Sequence, residues 1–187
     1  MTRLTLATCL AALVCVPLLG QRASSPPAAS TNPTIVMETA KGTIEIQLFA
    51  SEAPKSVEHI VRLVRRNFYR ALRIHRVTAS LVQFGDPGTR DMSRQPSWGT
   101  GNSGNPIGVA EIPKARTHRR GAVGLAHGGS AAYADSQIYI MKAASPGLNG
   151  KHAVIGQVVK GLDVVDRLVV TDLIKNITIQ AAAQPNR

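Results

Sequence analysis

The chain has 187 residues, of which 44% are apolar but only 4% aromatic, and it carries a formal charge of +11. That length suits one domain with a full core plus a short appendage and excludes two sizeable folded domains, while the composition calls for an aliphatic core of Val, Ile, Leu and Ala. The charge favours approach to anionic surfaces, but Lys and Arg are scattered, as solubility requires, and no specific nucleic-acid site is expected. The one dense run, Lys114-Ala115-Arg116-Thr117-His118-Arg119-Arg120, falls in an expected loop.

In chain order, Arg3 precedes an apolar stretch over residues 4–19, and Gln21-Arg22 ends it. Residues 1–22 therefore read as an export signal, or as an N-terminal anchor if left uncleaved, and the protein is expected to be periplasmic or secreted. Both cysteines, Cys9 and Cys15, lie inside this segment. The remaining chain has no thiol, which removes disulfides, thiolate catalysis and Cys-ligated zinc at once. Residues 23–33 are rich in Ala, Ser and Pro, too poor in apolar bulk to order themselves, and read as a linker. The domain is expected over residues 34–183, with a tail at 184–187.

Residues 34–39 and 43–49 alternate apolar and polar side chains around Lys41-Gly42, the pattern of a β-hairpin. Pro54 sits where a helix can begin, and Val57, Ile60, Val61 and Val64 follow at helical spacing. Strand-like runs recur at 71–78, 81–84, 121–126, 136–141, 152–159 and 177–182, and a second amphipathic helix is expected near 162–169. Eight short strands and two helices predict a mainly β fold, an eight-stranded antiparallel closed barrel capped by two α-helices. Residues 87–120 hold several Gly, Pro and Ser without a sustained period and read as a functional loop or a variable decoration.

The residues with chemical potential are few. His75 and Arg76 follow one another on an apolar strand, so alternation aims them at opposite faces. An arginine in such a place is ordinarily a surface or ion-paired residue. Gln83, near the next strand, can both donate and accept. His152 opens a strand after Gly150-Lys151, a place where packing is the commoner role of histidine. Ser136 lacks the Gly-x-Ser-x-Gly context of a hydrolase nucleophile, no two histidines stand at metal-ligand spacing, and Gly99-Thr100-Gly101-Asn102-Ser103-Gly104 lacks the Lys-Ser or Lys-Thr ending of a phosphate loop. Asp86 and Asp135 read as isolated turn-forming acids.

Seven motifs taken together resemble a known family. Ala53-Pro54-Lys55-Ser56-Val57, Phe68-Tyr69 with Ile74-His75-Arg76-Val77, Gln83-Phe84-Gly85-Asp86-Pro87, Ala110-Glu111-Ile112, Gly121-Ala122-Val123-Gly124-Leu125-Ala126, Ser136-Gln137-Ile138-Tyr139-Ile140 and Leu148-Asn149-Gly150-Lys151-His152 follow the order and spacing of the cyclophilins. The resemblance spans about residues 33–182. It implies peptidyl-prolyl cis/trans isomerase activity without cofactor or metal, acting on proline-containing unfolded or extended polypeptides, in a monomeric protein. By the same resemblance Arg76 is the catalytic residue, and Leu81, Gln83, Ala126, His127, Tyr139, Leu148 and His152 line the substrate groove. A proline-peptide binding module with little or no turnover is the alternative, because the pattern is altered in places. The chain is one residue short between Arg76 and Asp86, so Leu81 or Ser80 stands where the family has the Phe that floors the proline pocket. Tyr139 replaces a Phe, His127 an Asn, and Gly147 stands where many members carry a Trp that contacts cyclosporin, so weak or no cyclosporin binding is expected.

Overall fold

The computed structural model describes residues 32–180. The expected export signal, the linker before Asn32 and the chain beyond Gln180, tail included, lie outside these residues. Within them run β1 (Thr34–Thr39), β2 (Gly42–Leu48), α1 (Pro54–Arg65), β3 (Arg76–Val77), β4 (Leu81–Phe84), β5 (Ala122–Leu125), β6 (Ile138–Met141), β7 (Val154–Lys160), α2 (Leu162–Arg167) and β8 (Ile174–Ile179). The strands form one antiparallel sheet in the order β3-β4-β6-β5-β7-β2-β1-β8.

The expected hairpin is β1 and β2, paired in register from Thr34 opposite Gln47 to Thr39 opposite Gly42. Gly42 takes a φ of 135°, a region open to glycine and closed to bulkier residues, which lets the chain reverse there. Alternation then sorts the side chains of the central strands into two clusters. Val82, Phe84, Val123, Leu125, Ile138 and Ile140 face the main core together with Ile35, Ile44, Ile46, Ile60 and Leu63. Leu81, Ala122, Tyr139 and Met141 face the other way and form a second apolar cluster with Phe49 and Val154. The second cluster carries the groove described below.

Helix α1 starts at Pro54, whose missing N–H costs nothing at that position, and buries Val57, Ile60, Leu63 and Val64. Ala53 gives it no side-chain cap. The Glu111 carboxylate supplies one from afar, accepting the Lys55 amide at 3.0 Å and the Ser56 amide at 2.8 Å. Its negative charge also suits the positive end of the helix. Helix α2 is shorter than the expected 162–169: Leu168 is buried just past its end, whereas Val169 is half exposed.

Three expectations require correction. The barrel is not fully closed, since β3 and β8 end the strand order and the sheet is a curled half-barrel. Its edges meet only through one bridge between Arg73 and Leu173 and through irregular bonds such as Ile174 N to Leu72 O at 2.8 Å and Ile74 N to Asp172 O at 2.9 Å. For the same reason the strand expected over 71–78 shrinks to Arg76–Val77. Leu72 and Ile74 are buried as their alternation predicts, but Ala71 adopts a φ of 60° and the segment finds no regular ladder. Strand β8 begins three residues earlier than the expected 177, because Lys175 and Asn176 occupy outward positions that disguise the pattern.

Candidate active site

Arg76 and Gln83 face each other across β3 and β4 as register partners. The turn between these strands is tight: Thr78 N donates to Leu81 O at 2.8 Å, and Thr78 Oγ1 accepts the Leu81 amide at 3.1 Å. Arg76 Nη1 donates to Gln83 Oε1 at 3.2 Å. Leu81 lies two residues before Gln83 and therefore on the same face, while Ser80 belongs to the turn. Leu81 is buried in the second apolar cluster together with Tyr139.

Around this pair the sheet gathers every site residue expected from the sequence. Arg76, Leu81, Gln83, Ala126, His127, Tyr139, Leu148 and His152 line one hollow of about 330 Å3, with Ser80 and Ser145 at its edge. The size is at the low end for a ligand pocket, and its lining sets the apolar Leu81, Ala126 and Leu148 and the Tyr139 ring beside the polar Arg76, Gln83, His127 and His152. His152 Nδ1 donates to Leu125 O at 3.3 Å and His127 Nε2 to Lys151 O at 3.1 Å, and the two rings stack with centroids 4.1 Å apart. Burial lowers the pKa of His152, His127 beside it adds to that, and the Leu125 carbonyl opposes it. The ring is accordingly held neutral against an apolar wall.

Several contributors were not anticipated. Gln137, two residues before Tyr139 and so on its face, accepts from Gln83 Nε2 at 2.8 Å and donates to the carbonyls of Gly99 and Gly101 at 2.9 and 2.7 Å. Asp86, read as a turn-former, does more than receive the Gly88 amide at 2.7 Å. Its other oxygen accepts the amides of Gly99 and Gly101 at 2.6 and 3.1 Å. A hydrogen-bonded series thus runs from Arg76 through Gln83 and Gln137 to the 99–101 loop and ends on a buried carboxylate. The loop walls a second hollow of about 350 Å3 that shares Gln83, Ala126 and His127 with the first and adds Thr100, Asn102, Tyr133 and Gln137. The two hollows form one extended groove. The period-2 relation of Gln137 to Tyr139 was a usable signal for the first contributor; Gly99 and Gly101, the distant partners of Asp86, lie more than ten residues away and left none.

Asp135, also read as an isolated acid, is buried and linked to His59 Nε2 at 2.9 Å, to Ser103 Oγ and to the Asn105 amide at 3.0 Å. Burial alone would raise its pKa, but the hydrogen bonds from His59, Ser103 and Asn105 together bring it below the usual value. His75 packs against Gly99, and burial lowers its pKa against the opposing charge of Asp86. In the basic run, Arg116 is bound to Glu52, with Nε to Oε2 at 2.8 Å, and its guanidinium lies 3.8 Å over the Phe49 ring. Arg120 pairs with Asp166 at 2.9 Å. These arginines act as local staples rather than as a free patch. Among the described residues, no group of three His, Cys, Asp or Glu side chains is placed to hold a metal ion.

Comparison with known proteins agrees with this architecture. The family described as cyclophilin type peptidyl-prolyl cis-trans isomerase/CLD matches residues 34–184. A Helicobacter pylori protein named peptidyl-prolyl cis-trans isomerase is 33% identical over 150 residues, covering 78% of this chain and 86% of its own length. A Brucella suis protein named probable peptidyl-prolyl cis-trans isomerase is 35% identical over 145 residues, covering 75% of this chain and 74% of its own. In structure, a Cryptosporidium parvum cyclophilin type isomerase, crystallised in the presence of the dipeptide Ala-Pro, superposes with a TM-score of 0.66 at 23% identity, over 80% of this chain and 99% of that one. The chain belongs to the cyclophilin-type peptidyl-prolyl cis-trans isomerase family.

Proposed function

We propose that this chain accelerates cis/trans rotation of X-Pro bonds in unfolded or slowly folding polypeptides, with Arg76 as the catalytic residue. The observation that carries the reading is Arg76, tethered through Gln83, on the rim of the apolar hollow formed by Leu81, Ala126, Tyr139 and Leu148. Rotation must cross about 20 kcal/mol of lost amide resonance. As the bond twists, the prolyl nitrogen pyramidalises and becomes a hydrogen-bond acceptor, which it is not in either planar state. A guanidinium aimed at it stabilises the twisted state selectively. Arginine suits the task because its charge is never lost. The apolar hollow holds the pyrrolidine ring while Gln83 and the backbone near His127 hold the flanking amides, and the neighbouring hollow receives the residues before the proline. No covalent step is required.

A protease-coupled or NMR exchange assay on Ala-Pro peptides tests this. The wild type should accelerate exchange, and Arg76→Ala should lower kcat/KM on the order of 100-fold; full activity in that variant overturns the assignment. The binding-module reading draws on Leu81, which grips the ring with less surface than an aromatic floor. Peptide binding without rate enhancement would select it.

The site of action outside the cytoplasm rests on residues 1–22 and is read by N-terminal sequencing of protein from fractionated cells. An unprocessed cytosolic product would end that part of the proposal. The protein acts as a monomer, which light scattering checks. Cyclosporin should inhibit weakly, since Gly147 is exposed with open space where a side chain would stand and offers no aromatic edge beside Leu148. Tight stoichiometric inhibition would contradict this.

A further inference from the structure

Tyr139 brings a hydroxyl to the wall of an apolar hollow. Without a partner, that group would cost stability or turn into the groove to find one. Its Oη lies 2.7 Å from Nε2 of His118, a residue only 2% exposed that is not part of the hollow's lining. The two rings are close to parallel, with an interplanar angle of 21° and centroids 5.8 Å apart. The opposite nitrogen, His118 Nδ1, is 2.9 Å from Asn149 Oδ1, and the same oxygen accepts the His118 backbone amide at 2.8 Å.

These contacts determine the direction of every proton. Asn149 Oδ1 can only accept, so Nδ1 carries the hydrogen. In a neutral imidazole Nε2 is then a bare lone pair, and the Tyr139 hydroxyl donates to it. Burial favours that neutral form, against the pull of Asn149. Space for the phenol comes from Gly124, the cross-strand partner of Tyr139: any Cβ there would collide with Cζ and Oη of the ring. Four residues on four segments thus agree on one position for one hydroxyl.

The geometry points to His118 as a positioning residue of the proline pocket: with its tautomer set by Asn149, it draws the Tyr139 hydroxyl across Gly124 and away from the groove, leaving ring carbon to face the substrate. This rests on reading the hollow as the proline pocket. It follows that the polar Tyr139 is tolerated at an apolar wall because His118 takes up its hydroxyl, so the two positions act as a unit. If His118 cannot accept, the hydroxyl turns back toward the hollow and its His152 ring, whose centroid lies 6.1 Å from that of Tyr139.

A double-mutant cycle on the purified chain tests the coupling, with affinity for an Ala-Pro peptide measured by NMR titration and kcat and KM measured in parallel. His118→Leu should weaken peptide affinity about fivefold to tenfold, the scale of one hydrogen bond and its stranded partner, with a smaller change in kcat. In a Tyr139→Phe background the same substitution should change affinity less than twofold, and His118→Gln, which places an acceptor near the Nε2 position, should restore most of the loss. Losses that multiply independently, or unchanged affinity in a folded His118→Leu protein, overturn the proposal. Long-range 15N–1H spectra provide a readout free of activity and of variant folding: His118 should show a protonated Nδ1 and a bare Nε2, and the opposite tautomer overturns the proposal outright. A wild type that binds peptide without turnover would fail the isomerase reading alone, and the cycle would then be decided on affinity.

Discussion

The residue that most changes the picture of this site is Gln137. Each end of its amide has a distinct task, oxygen toward Gln83 and nitrogen toward the carbonyls of Gly99 and Gly101. It therefore sets which end of the Gln83 amide faces Arg76. Gln137→Leu should lower kcat/KM about tenfold, with most of the loss in kcat, because a misplacement of about 1 Å at a catalytic group has effects of this size. Steady-state kinetics on an Ala-Pro peptide would measure it, and an effect confined to stability would refute it. Arg76, Gln83, Leu81 and Tyr139 were named from the chain by the family resemblance, and the fold brings all four to one hollow. The roles of His118 and Asp86 were not legible. Their partners, Tyr139 for the first and Gly99 and Gly101 for the second, are brought near only by the folded sheet, and no local pattern marks a buried histidine inside a basic run.

At the scale of elements, α1 shows a cap supplied across 55 residues by Glu111. Glu111→Ala should cost about 1 kcal/mol of stability, as loss of an ordinary N-cap does, and urea unfolding would register it as a lower midpoint with an unchanged slope. A change confined to activity would argue against the cap. The hairpin, both helices and the central strands were readable because each obeys its own period over several residues. The segment 71–75 obeyed period two and still formed no strand, since a strand needs a regular neighbour as well as a pattern. Its neighbour, 171–173, leaves a turn at Thr171, with a φ of 80°, and becomes regular strand only from Ile174. Side-chain periodicity reports which face is buried; it does not report whether the backbone finds a ladder.

For the whole molecule, stability and charge meet in two histidines, one lining the groove and one buried behind it. Burial holds His118 and His152 below their ordinary pKa. Each therefore stays neutral in the folded protein at pH values where the unfolded chain is already protonated, so the unfolded state gains protons on acidification. Their contribution to stability is complete above the ordinary histidine value of about 6.5 and is lost as pH falls through the lowered folded values. Asp135, also held below its usual range, adds a loss of the same sign at more acidic pH. Calorimetry should show Tm falling from pH 7.5 to pH 5; a flat profile would refute this. The half-barrel matters here too, because its inner face holds the main core while the outer face of β4, β5 and β6 is free to carry the groove. The clamp at Asp86 has a further consequence. It grips the chain at Gly88 and again at Gly99 and Gly101, so the intervening residues are fastened at both ends, and residues 91–97 are all exposed. That stretch hangs between two fixed points, so a change in its side chains is taken up at the surface while the Gly99 to Gly101 wall keeps its hold on Asp86.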